Sequence, residues 1–519
     1  MQKLGKLLKW IDNNILKILI IFLIFFIPLY PKLPLIDIEY TYIYIRLEDF
    51  IIAIIYLIFI IQLLRKKITI PLKFLFLFVF FWLSVFVSFY VGYFVLKTIP
   101  VDYIGFLHSL RRIEYMGLFF VAYSAVKNKK DFFYYLKLIV IVSLVVSIYG
   151  IGQKFFGWPA VQTMNPEYAR GYILFLTPEA RISSTFSGHY DLASYIIFLI
   201  PIILSLFLFY YRIKYFIIFF LNLCGLVLTA SRISYIGYLL TVLPFLIIEK
   251  KFRLIILILI LTIALTLANN NLTSRLKRTF QVKRILVDQK TGAVYIPQKI
   301  TTKELPAGSF YIPLEDKKQL KNQKEEEKII DNKDLKYLKD LEELEKYKKS
   351  LILQKKIEAT KTGQKIDESS LEADLKPVKT IVSDISFATR LQVEWPRAIN
   401  AFKKSPLFGT GPSSLTEATD NDYLRWLGET GITGALLFLT IILKLIHEIF
   451  KKVLKSDIKE KIILKGFLFG VVALMINTSY IDVFEASKVA YTFWMVSGIF
   501  IGFVNLKKNK ELYEREKNF

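Results

Sequence analysis

The sequence predicts an all-α integral membrane protein with about 12 transmembrane helices and a large extracytoplasmic loop. Three observations predict it. Of 519 residues, 54% are hydrophobic and 15% aromatic, more apolar surface than one soluble core of this size can bury. The apolar residues gather in blocks of about 16 to 23, enough at roughly 1.5 Å per residue to cross a hydrocarbon layer about 30 Å thick. The surplus of Lys and Arg, 69 against 44 Asp and Glu, lies mostly in short loops between those blocks, as loops on the cytoplasmic side require. That distribution assigns the formal charge of +25 to topology rather than to nucleic acid, and makes the lipid bilayer the expected surrounding.

Twelve spans are expected at 14–31, 48–64, 73–95, 107–126, 132–153, 190–211, 214–230, 232–248, 253–269, 431–450, 462–482 and 487–505. The first lacks a small-residue cleavage site and reads as a retained span. Lys3, Lys6 and Lys9 place the N-terminus in the cytoplasm. The cytoplasmic loops are then Arg65-Lys66-Lys67, Lys127 to Lys130, Arg212 to Lys214, Glu249 to Arg253 and Lys451 to Lys465. The tail 507–519, with Lys507, Lys508 and Lys510, falls on the same side. Removing one span would scatter these basic loops over both faces. The chain thus divides into 1–269 with nine spans, an extracytoplasmic loop at 270–430, and 431–506 with three spans, in an inner or plasma membrane. Cys224, the one cysteine, lies in an apolar block, so no intrachain disulfide forms.

The long loop has three parts. Gln281 to Tyr295 alternates around Lys290-Thr291-Gly292, and Gly292 to Pro297 recurs in altered form at Gly308 to Pro313, predicting small β-hairpins. Residues 316–378 are rich in Lys and Glu, with Leu335, Leu338, Leu341, Leu344 and Leu351 at helical spacing, predicting an exposed amphipathic helix or helical hairpin. Phe387 to Trp395 and Ala398 to Phe402 predict a short amphipathic helix, followed by the tight turn Pro406-Leu407-Phe408-Gly409-Thr410-Gly411-Pro412.

Ionisable groups near the outer ends of spans are costly there and are the first functional candidates. They are Arg111, Arg112, Arg181, His189, Arg232, Arg390 and the cluster from Asp420 to Gly434. Each has a bland alternative. Arg111 and Arg112 sit beside Glu114 and would pair with it internally. Arg232 could snorkel to lipid headgroups, His189 could cap the sixth span, and Asp420 could cap the helix that follows it.

In these motifs the chain resembles the O-antigen ligase/polymerase superfamily. Asn421, then nine residues, then Gly431 and Gly434 is similar to the family's His-Asn, nine residues, Gly-x-x-Gly. The turn at 406–412 resembles its Pro-Leu-x-Gly-x-Gly. Leu228-Thr229-Ala230-Ser231-Arg232 resembles its Thr-x-Ser-Arg, and Arg181 to Phe186 its Arg-x-x-Gly-Thr-Phe. The resemblance covers most of 100–280 and 385–505 and leaves out 283–378. It implies a membrane glycosyltransferase that moves a glycan from a polyprenyl diphosphate carrier to an acceptor hydroxyl, inverting, and without metal or cofactor. The acceptor could be a lipid, a protein or another glycan.

Here the family's histidine is Asp420. A carboxylate can take the acceptor's proton, although its reference pKa of about 3.9 makes it a weaker base than histidine at about 6.5. Asp420 is the first candidate for that base and Asp422 the second. Arg232 and Arg390 are the expected diphosphate clamps, since a guanidinium meets phosphate oxygens bidentately. Asn421, Asp422, Arg181, His189 and Tyr423 are expected to bind substrate. No metal-ligating cluster or nucleotide cradle is evident. Two other readings remain open: a repeat-unit polymerase using the same chemistry, and a lipid-linked glycan flippase, whose charges would be expected at mid-membrane.

Overall fold

The computed structural model describes residues 2–39, 41, 44–163, 171–177, 180–269, 272–273, 280–288, 294–295, 311–313, 375–383, 390–415 and 418–506. The chain forms two compact units, one of Met1–Thr273, Phe310–Leu314 and Thr389–Phe519, the other of Ser274–Ser309 and Glu315–Ala388.

The larger unit is mostly helical. Its helices are α1 (Gln2–Leu29), α2 (Leu47–Leu64), α3 (Leu72–Tyr90, continued by a π turn at Val91–Val95), α4 (Asp102–Ala125), α5 (Lys129–Phe155), α6 (His189–Tyr210) and α7 (Ile213–Leu228). They continue with α8 (Arg232–Ile248), α9 (Phe252–Ala268), α10 (Trp395–Lys404), α11 (Asp422–Lys455), α12 (Ile458–Asn477) and α13 (Ser487–Val504). Every apolar block of the sequence is helical. Among the described residues, seven stretches are long and apolar enough to cross a membrane: α1, α2, α3 with its π turn, α5, α6, α11 and α13. Helices α7, α8 and α9 are equally apolar but shorter.

Helices α6 and α13 form the centre, with 89% and 94% of their apolar windows buried. Small residues let their neighbours come close. A Cβ on Gly498 or Gly502 of α13 would strike the carbonyl oxygens of Phe119 or Tyr123 in α4. Gly470 of α12 meets the Phe198 carbonyl of α6 in the same way. Helix α9, by contrast, exposes Ile256, Ile260, Ile263 and Leu267, an apolar face suited to lipid.

The basic loops gather at one end of this unit. Asp12 accepts from Arg65, Lys67 and Gln62, and Lys127 Nζ donates to the Asn13 carbonyl at 2.5 Å. Lys129 pairs with Glu460 and Lys465 with Glu249, each at 2.6 Å.

Helix α12 stops at Asn477, not 482, because Thr478 and Ser479 turn their hydroxyls back onto the carbonyls of Met475 and Ile476 at 2.7 Å. This frees Tyr480 and Asp482 into a loop. Helix α11 starts at Asp422, well before 431, and breaks at Gly431. Arg112 does not pair with Glu114: it reaches Glu429 and Glu485, while Glu114 accepts from the Tyr491 hydroxyl.

In the larger unit a short strand β1 (Pro34–Ile36) pairs antiparallel with β2 (Ile45–Arg46). The smaller unit holds an antiparallel sheet. Strand β5 (Phe280–Asp288) pairs with β6 (Val294–Tyr295) through Leu286↔Tyr295, the expected hairpin. On its other side β5 pairs with β8 (Leu375–Ser383) over its whole length, so the end of the proposed helical insert is strand. The remainder, 316–374, lies outside the described residues. The second sequence copy does not pair with the first. Its strand β7 (Tyr311–Pro313) belongs to the larger unit and joins β4 (Ile173–Leu176), which pairs with β3 (Ala160–Val161).

Replacing Gly498 with Leu is expected to lower stability by at least about 1–3 kcal/mol through overpacking against α4. The thermal midpoint of the purified chain in detergent measures this; Ile260→Leu, on the exposed face of α9, should leave it unchanged.

Candidate active site

Two sequence motifs some twenty residues apart form one structural piece. The glycine at 431 takes φ 64°, ψ −171°, which breaks the α11 hydrogen-bond ladder. The turn at 406–412 repairs it. Thr410 and Gly411 donate their N–H groups to the Gly428 and Glu429 carbonyls, both at 2.9 Å. In return the Pro406 carbonyl accepts from Ile432 N–H at 2.8 Å, and the Leu407 carbonyl from the Thr433 hydroxyl at 2.8 Å. The approach is so close that a Cβ on Gly409 or Gly431 would overlap the partner's backbone. Thr98 Oγ1 donates to the Thr410 carbonyl at 2.6 Å and ties the turn to the end of α3.

The start of α11 is held by Asp482. Its carboxylate accepts from the backbone N–H groups of Thr419 (2.7 Å), Asp420 (3.0 Å) and Asn421 (3.0 Å), and from Arg425 Nη2 (3.0 Å). Arg425, 1% exposed, also reaches Glu429 at 3.5 Å, and Glu429 meets Arg112 at 3.1 Å. Asp420 adopts φ 51°, a left-handed conformation that aspartate tolerates better than most residues. Asn421 caps the helix, accepting from Leu424 N–H at 3.1 Å and donating to the Ser479 carbonyl at 3.0 Å. The capping role considered for Asp420 therefore belongs to Asn421, and the Asp420 side chain is directed elsewhere.

It meets Arg390. The Asp420 Oδ2 accepts from Arg390 Nη2, and a quarter of the aspartate side chain stays exposed whereas Arg390 is 3% exposed. The Arg390 guanidinium lies 4.2 Å from the Tyr480 ring centroid and 5.8 Å from that of Tyr190. Arg181 lies 5.2 Å from the same Tyr190 ring, so two arginines flank one aromatic ring. Desolvation pushes the Tyr480 hydroxyl up, opposed by the positive charges of Arg390 and Arg232, which brings Arg232 into the same field. Desolvation likewise raises Asp420, to about 7; Arg390 opposes this, the negative charges of Asp482 and Glu394 reinforce it, and Arg425 opposes it.

The start of α8, which carries Arg232, is held by buried polar contacts. Ser231 Oγ and Ser234 Oγ are 2.8 Å apart, Ser234 donates to Asn477 Oδ1 at 3.0 Å, and Asn477 donates to Ser194 at 2.6 Å. This links the starts of α6 and α8 to the end of α12. The Arg181 to Phe186 segment is bound on two sides. Lys488 donates to the carbonyls of Thr185 (2.7 Å) and Tyr30 (2.6 Å). Ser184, at the family's glycine position, takes φ 52°, with its N–H donated to Gln153 at 2.7 Å and its hydroxyl to the Val146 carbonyl at 2.8 Å.

The structure therefore brings Asp420, Arg390, Arg232 and Arg181 to one end of the bundle. His189 is the first residue of α6, after the N-cap Gly188, and its buried ring sits 4.1 Å from Tyr190. Three other expected substrate ligands are turned to the framework. Asp422 is 0% exposed and accepts from the N–H groups of Val483 (2.7 Å) and Phe484 (3.0 Å). Asn421 is the cap, and the Tyr423 hydroxyl donates to the Met475 carbonyl at 2.9 Å. Sequence reasoning missed Tyr190, Tyr480 and Asp482. The last two were hidden by a span drawn five residues too long; the polar run Thr478-Ser479 would have located the end.

Apolar helices around buried ion pairs, with arginines, a carboxylate and tyrosines clustered at one end, define a multi-pass membrane protein with a cationic site. Residues 217–439 match the family model described as O-antigen ligase. This match supports membership of the O-antigen ligase superfamily, which implies a function of ligase or polymerase type in polysaccharide biosynthesis. The matched segment includes Arg232, Arg390 and Asp420 and ends before Asp482. No curated protein matches the chain.

Asp482→Ala would leave three backbone N–H groups and Arg425 without their common acceptor. A loss of about 3–5 kcal/mol is expected, measured as a fall in thermal midpoint in detergent.

Proposed function

We propose that this protein is an O-antigen ligase-like glycosyltransferase of the cytoplasmic membrane. It transfers a glycan from a polyprenyl diphosphate carrier to an acceptor hydroxyl on the outer face. The observation that carries the reading is the Asp420–Arg390 pair, partly open to solvent and set beside Arg181 and Arg232. The reading takes the chain to cross the membrane twelve times with both termini cytoplasmic; the clustering of the basic loops at the opposite end supports this side being the outer one.

The chemistry follows from the charges. Asp420 takes the proton of the acceptor hydroxyl, whose oxygen attacks the anomeric carbon. The bond from that carbon to the diphosphate oxygen breaks, and polyprenyl diphosphate leaves as an anion. A diphosphate is a good leaving group, so no general acid is required. Its growing charge is met by the guanidiniums of Arg390 and Arg232, with Arg181 in reserve beside Tyr190. Fixed arginines in a partly desolvated site act more strongly than the same charges in water.

Asp420→Asn should lower turnover about 10²–10⁴-fold, the range for a lost general base. Arg390→Lys, which keeps the charge but loses the planar fork, should fall between wild type and Arg390→Ala. The assay is purified chain with lipid-linked oligosaccharide and a panel of acceptors, and product length separates single transfer from polymerisation. Full turnover in Asp420→Asn would sink the base assignment. Binding of the lipid-linked glycan with no bond made to any acceptor would point instead to a flippase.

The pH dependence has a defined sign. The working form of Asp420 is the carboxylate, and its pKa is raised to about 7. Turnover should therefore rise with pH through about 7 and level above it. An aspartate at its ordinary value of about 3.9 would already have levelled by about pH 5. The rate–pH profile of the wild-type chain decides between them.

A further inference from the structure

At the end of the helical unit opposite the candidate active site, a cavity of about 450 Å³ opens between α1, α5 and the end of α6. Four lysines line it: Lys17, Lys129, Lys130 and Lys137. One carboxylate, Asp131, is in the wall and is occupied by Lys17 at 2.5 Å. Lys129 reaches out to Glu460. Lys130 and Lys137 make no ion pair among the described residues, and Lys137 lies 5.7 Å from the Tyr210 ring centroid. Topology explains lysines in the loop between spans. It does not explain Lys137, which sits within an apolar helix where an ammonium is costly unless something anionic meets it.

The face of α5 below the cavity identifies the kind of anion. Tyr134, Lys137, Ile141, Val145 and Ile148 follow one another at helical spacing and are all exposed. They form an uncovered stripe about 21 Å long at roughly 1.5 Å per residue, more than half the hydrocarbon thickness of about 30 Å. A soluble phosphate would use the lysines and ignore this stripe. A lipid with an anionic headgroup would use both.

We propose that this cavity binds the phosphate of an anionic phospholipid, with an acyl chain laid along the exposed face of α5. Lys130 and Lys137 supply the charge, and Tyr134 and Tyr210 supply ring surface at the boundary between headgroup and chain. The site is independent of the glycan chemistry at the other end.

The test is native mass spectrometry of the full-length chain in detergent, with dioleoyl phosphatidylglycerol and dioleoyl phosphatidylcholine offered together. The anionic lipid should be retained about tenfold over the zwitterionic one, and K130A/K137A should remove most of that preference. Lys137→Arg, which keeps the charge, should retain it, and an unchanged thermal midpoint of K130A/K137A in detergent shows that its loss of preference is not unfolding. Millimolar glycerol phosphate should displace little lipid. Equal retention of the two lipids, an unchanged preference in K130A/K137A, or full displacement by glycerol phosphate would each overturn the proposal.

Discussion

The Asp482 carboxylate is the constraint on which the rest of this site depends. Buried charges are tolerated only when each is answered by another charge or by several hydrogen bonds. Asp482 answers Arg425, Arg425 answers Glu429, and Glu429 answers Arg112. The chain of pairs runs from α4 through α11 to the loop after α12. At the end of this chain of pairs the same carboxylate collects three successive N–H groups, those of residues 419–421. Because these three peptides are pinned, Asp420 is held left-handed and its side chain is delivered to Arg390.

A second constraint concerns the backbone. In a membrane, a broken helix is allowed only where the freed peptide groups find other partners. The break at Gly431 satisfies this with the 406–412 turn, which returns two donors and two acceptors to α11. The turn and the Gly-x-x-Gly are thus two halves of one hydrogen-bonded joint. The joint sets the angle at which the first turns of α11, and with them Arg425 and Glu429, stand over the bundle.

Much of the fold was legible because its determinants are local or cumulative. A run of apolar residues long enough to be a helix reads the same wherever its neighbours lie, and all such runs are helical here. The hairpin at 280–295 was legible from alternation and a turn signal. The pairing of β4 with β7 was not, since nothing in either short strand names its partner. The partner of Arg112 was misread for the same reason: Glu114 is near in sequence, but Glu429 and Glu485 are near in space. The arginines and Asp420 were legible as unusual charges at span ends, whereas Tyr190 and Tyr480 resemble any other aromatic at a membrane boundary.

Composition, periodicity and the placement of lysines by themselves determined that this chain is a helical membrane protein with its unusual charges at one end. These are properties of single segments facing a low-dielectric medium, and they need no knowledge of contacts. Only the tertiary structure decided which charges meet. It separated Asp420, partly open beside Arg390, from Asp422, enclosed two residues later and committed to backbone N–H groups. Two aspartates with almost the same local sequence acquire different chemistry because solvent access and hydrogen-bond partners are set by distant segments packed against them.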